Sequence, residues 1–111
     1  SLYVVKYQFS HKRMLRNRGF SLFAKMTEEQ DRMDSGNCTS YGRWHVPSLG
    51  CGYAVASCPS AMDAYRWAYN WNALCDCELI PVTRDEETRK IIQSRPGFQE
   101  KREALMSQMG H

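Results

Sequence analysis

A chain of 111 residues with 42% apolar content and a net charge of +3 has the size of one domain, with a single core that a second subunit would help to complete. Its mild basicity, with a pI near 8.7, suits anions in general but lacks the concentrated basic face of a nucleic-acid binder, so nucleic acid is disfavoured as a partner. No apolar run reaches the ~18 residues that span a bilayer, and the first residues lack the charged, apolar and small-residue order of a secretory leader, so a soluble cytoplasmic protein with no membrane partner is expected.

Leu2 to Phe9 reads as the first strand: alternation puts Leu2, Val4, Lys6 and Gln8 on one face and Tyr3, Val5, Tyr7 and Phe9 on the other. Ser10 stands where it can cap a helix, and Leu15, Gly19, Leu22, Phe23, Met26 and Met33 recur at helical spacing. One helix is therefore predicted from somewhere in residues 11 to 18 until about Asp34. His11, Lys12, Arg13, Arg16 and Arg18 crowd its start, where the backbone dipole prefers negative charge. Either they and the exposed N–H groups hold a phosphate or carboxylate, or they are a solvated run that pairs with an acidic segment such as Asp85-Glu86-Glu87.

Asp34-Ser35-Gly36-Asn37 reads as a stop and turn, Cys38 to Val46 as the second strand, and Gly52 to Cys58 as the third. Alternation puts Tyr41, Arg43 and His45 on one side of the second strand and Gly42, Trp44 and Val46 on the other. A one-residue bulge near Gly42 would exchange the faces. Ser60 caps a second helix with Asp63 three residues on, and Ala61, Ala64, Ala68, Trp71 and Cys75 fall on one side of it. Cys77 to Val82 follows as the fourth strand, at an edge or strand end because Pro81 has no amide donor. Thr83-Arg84-Asp85-Glu86 has the form of a capping box for a third helix to about Ser94, and Arg95-Pro96-Gly97 ends it. Phe98, Arg102, Leu105, Met106 and Met109 mark a last amphipathic segment, which divides the chain into a domain over residues 1–94 and a helical tail over 95–111.

An odd count of five cysteines cannot all pair within one chain, and reduced thiols are the simplest account. Cys75 and Cys77 offer two thiolates to a soft cation, but nothing completes a four-ligand set, so no metal site is assigned. No cofactor is expected either.

The order strand, helix, strand, strand, helix, strand predicts an α+β, ferredoxin-like βαββαβ fold, with an antiparallel four-stranded sheet and two helices on one face. The other face is too apolar for water, which predicts a homodimer through sheet-to-sheet packing. Gly42-Arg43-Trp44-His45, Gly50-Cys51-Gly52-Tyr53-Ala54-Val55, the helix with Trp67 and Trp71, and Glu78-Leu79-Ile80-Pro81-Val82 resemble a family of short uncharacterised domains in the dimeric α+β barrel superfamily. The resemblance runs from Leu2 to Ile92. It implies a barrel-like dimer with a pocket between sheet and helices in each subunit, and says little about chemistry.

Arg43 and His45 are the candidate reactive pair, joined from neighbouring strands by Lys6 or Gln8 and by Glu78, with Tyr41 beside them. His45 with a carboxylate partner such as Glu78 can serve as a general base, while Arg43 or Lys6 holds the oxyanion. Lys6, Tyr41, Trp44 and Tyr53 are the ligand-binding candidates for a small organic, in one version anionic, molecule. That chemistry would be acid/base or oxygenase-like and would need no cofactor. Two other readings stand beside it: a non-catalytic dimerisation or interaction module, in which His45 is a hydrogen-bonded strand residue, and a phosphate or nucleic-acid binder using Lys12, Arg13, Arg16 and Arg18.

Overall fold

A computed structural model describes residues 1–110 as β1 (Leu2–Phe9), α1 (Arg13–Lys25), α2 (Glu28–Ser35), β2 (Thr39–Val46), β3 (Cys51–Ser57), α3 (Ala61–Tyr69), β4 (Cys75–Val82), α4 (Asp85–Gln93) and α5 (Phe98–Gln108). Residue 111, the last of the expected tail, lies outside the described residues. All strand pairs are antiparallel and the sheet order is β2-β3-β1-β4, the ferredoxin-like arrangement expected from the element order. Pro81 falls on β4, an edge strand, where a missing donor can face away from the ladder.

The helix-facing side of the sheet is set by alternation. Phe9 of β1 is buried under α1, while Tyr3 and Val5 are buried with Ala54 and Ala56 of β3, against Ala64 and Trp67 of α3. Alanine at these positions lets the helix lie close, and Trp67 then spreads over the sheet. α1 buries only Gly19, where the Phe9 ring fills the space that a β-carbon would need. The opposite face is open: Trp44 and Tyr53 stand directly across from each other on β2 and β3 and are 60% and 43% exposed.

Four local expectations are corrected. The single long helix is two, because Thr27 and Gln30 form a reciprocal capping box, with bonds of 3.1 and 3.0 Å, that starts α2 afresh. Ser10 does not cap α1. Lys12 occupies that position without a side-chain bond, and the Ser10 hydroxyl accepts from the Lys12 amide at 3.2 Å. Thr83 does not cap α4 either: Arg84 holds the cap position, while the Thr83 hydroxyl meets that of Thr88 at 2.6 Å. The Ser60 cap of α3 is formed, with its hydroxyl accepting from the Asp63 amide at 3.2 Å. β4 also starts two residues earlier than expected, since Cys75 pairs with Phe9.

Candidate functional site

The register of β2 decides what its polar residues can reach. Arg43 lies opposite the buried Ala54 and His45 opposite Gly52, so both project toward the helices. Gly52 also lies opposite Tyr7 on β1. Tyr7 and His45 are therefore two strand spacings apart, roughly 10 Å at the backbone, with only a hydrogen atom between them on that face. Their side chains meet over it, and the Tyr7 hydroxyl sits 2.5 Å from His45 Nδ1. A β-carbon at residue 52 would run into the Tyr7 ring and the Trp44 carbonyl oxygen.

Burial pushes the Tyr7 phenol up to about 12, with the Cys51 and Cys75 thiols adding to the effect. The His45 imidazole is held below its ordinary value, first by burial and then by the Arg43 cation. At neutral pH the pair is a phenol and a neutral imidazole, one proton shared between oxygen and Nδ1. The Phe23 ring packs on the imidazole at 4.7 Å between centroids.

This fixes the sign of a pH effect. His45 binds its proton less readily folded than unfolded, so its contribution to stability is complete above the unfolded value near 6.5 and is lost as pH falls below it. Urea midpoints measured between pH 7.5 and 5.5 should fall with pH, and the fall should be smaller in His45→Phe. An equal fall in both proteins would assign the effect to other groups.

Arg43 is held by Asp31 of α2 in a two-pronged pair at 3.0 and 2.9 Å, and its guanidinium lies 5.0 Å from the Phe23 ring centroid. Its Nε–H is buried and has no acceptor among the described residues. Asp34, at the end of α2, accepts from the indole N–H of Trp67 at 3.2 Å, that of Trp71 at 2.9 Å and the Asn70 amide at 3.1 Å. One carboxylate thus ties α2 to α3. Sequence reasoning missed both aspartates, treating Asp34 as part of a turn. The available signal was Trp67 and Trp71 four residues apart, two indole donors on one helix side in need of an acceptor.

These groups surround a cavity of about 70 Å3 between sheet and helices, walled chiefly by Phe9, Phe20, Phe23, Trp67, Trp71 and Leu79, with Tyr7, Arg43 and His45 on its polar side. Cys75 and Cys77 also line it, sulfur to sulfur at 3.7 Å. The hydrogen bond between the two thiols raises Cys75, a rise reinforced by burial, and lowers Cys77. Among the described residues no three His, Cys, Asp or Glu side chains are grouped to hold a metal ion.

The expected set of site residues is divided between the two faces of the sheet. Arg43 and His45 come together in the cavity. Lys6 and Glu78 do not join them, because even-numbered positions of β1 and β4 point to the open face. There Lys6 pairs with Glu78 at 3.6 Å and lies 6.0 Å from the Tyr53 ring centroid, beside Trp44. Tyr41 is taken out of alternation by a bulge between Ser40 and Gly42 and lies 5.9 Å from the Arg84 guanidinium. The partner that His45 finds is the Tyr7 phenol, not the expected carboxylate. Gln8 turns its amide to the Leu49 carbonyl at 3.0 Å. In the basic run, Arg16 contacts His11 at 3.3 Å, and among the described residues no ion pair links that run to Asp85, Glu86 or Glu87.

Among the described residues no helix is long and apolar enough to cross a membrane. A family model described as a domain of unknown function, DUF3303, matches residues 1–95. No curated protein and no solved structure matches the chain.

Proposed function

We propose that this chain, which belongs to the DUF3303 family of domains of unknown function, binds a small organic molecule in the cavity between sheet and helices and works as a homodimer. One observation carries the reading: an aromatic cavity lined by the Tyr7–His45 pair and by Arg43, whose buried Nε–H lacks an acceptor. A buried donor without a partner costs free energy that a ligand oxygen would recover. The ligand then has a flat apolar body among Phe20, Phe23, Trp67 and Trp71 and an acceptor oxygen at Arg43. Asp31 already neutralises that guanidinium, which favours a carbonyl, enol or phenol oxygen over a permanent anion.

A space of about 70 Å3 is well below the roughly 300 Å3 of drug-sized sites. The α1–α2 wall is the one that gives way, since α1 buries only Gly19 and α2 buries no residue. The same groups support cofactor-free proton transfer: neutral His45, in the tautomer whose Nδ1–H donates to the Tyr7 oxygen, takes a proton at Nε2 from an acidic C–H or O–H, and Arg43 holds the oxyanion that forms. Five free thiols fit a reducing compartment, and we assign the protein to the cytoplasm. The homodimer rests on the open face, where Trp44 and Tyr53 are too large and exposed to be left to water.

The test is a screen of small aromatic ketones, phenols and carboxylates by ligand-observed NMR, followed by titration of the Trp67 and Trp71 fluorescence. Binders should lose about tenfold or more in affinity with His45→Ala and with Tyr7→Phe, the scale expected when a buried hydrogen-bond partner is removed. Binders that are indifferent to both substitutions would refute the cavity as their site.

A further inference from the structure

We infer that α4 and α5 form an arm that packs its apolar residues on a second copy of this chain. The inference deepens the homodimer proposed above and rests on it. Neither helix buries a residue, and Ile91, Ile92, Leu105 and Met106 are 56%, 45%, 57% and 38% exposed. They are nine and eleven residues long, below the roughly 12 to 15 at which an isolated helix holds its own in water. Their helicity therefore calls for a surface to pack on, and the chain's own body does not supply it.

The dimensions agree. The radius of gyration is 19.3 Å and the long axis 58 Å, whereas a compact chain of this length has a radius near 13 Å. The accessible surface of 8398 Å2 exceeds that of a compact monomer of this mass by about 2,100 Å2. A stable interface takes about 800 Å2 from each partner, so the excess accommodates both the open sheet face and the arm. In a two-fold pair each arm reaches the other subunit, and every contact is made twice.

Charge favours a second copy over a foreign partner. Residues 85–103 hold five acidic side chains (Asp85, Glu86, Glu87, Glu100, Glu103) and five basic ones (Arg89, Lys90, Arg95, Lys101, Arg102), a balance that steers no oppositely charged protein and suits a self-complementary contact. The root of the arm is also tied to the sheet, through the Arg84 guanidinium 5.9 Å from Tyr41 on β2.

Sedimentation equilibrium of the full chain and of Ile91→Glu/Leu105→Glu tests the arm, with Trp67 and Trp71 fluorescence confirming that the body of the variant is folded. A dimer in the full chain that weakens at least tenfold in the variant, with loss of helical circular dichroism, is the expected result. A dimer of unchanged strength overturns the arm and leaves the sheet-to-sheet pair standing. A full chain that stays monomeric at all concentrations overturns both. A photo-crosslinking amino acid in place of Leu105 gives an independent reading: links between two copies support the arm, and links only within one chain overturn it.

Discussion

Gly52→Ala is expected to part Tyr7 from His45 and to destabilise the protein by about 1–3 kcal/mol or more, the range for overpacking a closely fitted interior. The cause is the register: residue 52 lies between Tyr7 and His45 in the sheet, and a β-carbon there meets the Tyr7 ring and the Trp44 carbonyl oxygen. A ring can rotate away, but a carbonyl of the neighbouring strand moves only with its ladder. The variant should have a lower urea midpoint, a His45 imidazole that titrates closer to its ordinary value, and weakened binding of any cavity ligand. All three should change together. A variant whose midpoint and His45 titration match the parent would show that the pair does not depend on the missing side chain.

Asp34→Ala should cost about 2–5 kcal/mol. It leaves the part-buried indole donors of Trp67 and Trp71 without their shared acceptor, and each such donor left unpaired costs about 1–3 kcal/mol, while the exposed Asn70 amide keeps its bond to the main-chain carbonyl of residue 34. Against the 5–15 kcal/mol by which a domain of this size is stable, that is a large share. Tryptophan emission should shift to the red as α2 separates from α3 and water reaches the rings. Asp34→Asn keeps one acceptor oxygen and should recover part of the loss. If the alanine variant unfolds at the parent midpoint, the clamp contributes nothing and water serves those donors equally well.

The two substitutions differ in what the sequence announced. Gly52 stood in a conspicuous Gly-Cys-Gly run, yet nothing local says which residues lie across from it. Asp34 looked like an ordinary helix stop, because Asp-Ser-Gly-Asn is turn chemistry and its three donors lie on α3 and in the turn that follows it, at least 33 residues further along. The expected partnership of His45 with Glu78 failed for a related reason. Alternation groups residues within one strand, but only the register between strands decides which strand's set shares that face.

The periodicities of this chain determined its element order, and element order determined an α+β ferredoxin-like sheet, since βαβ halves close in few ways. The pairing of Arg43 with His45 was legible too, because residues two apart in a strand share a side whatever surrounds them. Tertiary structure alone decided that this side faces the helices, that Lys6 and Glu78 face away, that Tyr7 and Asp34 complete the cavity, and that Asp31 holds Arg43. Those choices belong to the packing of distant segments. Burying Tyr3 and Val5 under α3 and Phe9 under α1 commits β1, and through its ladders every other strand, to one orientation.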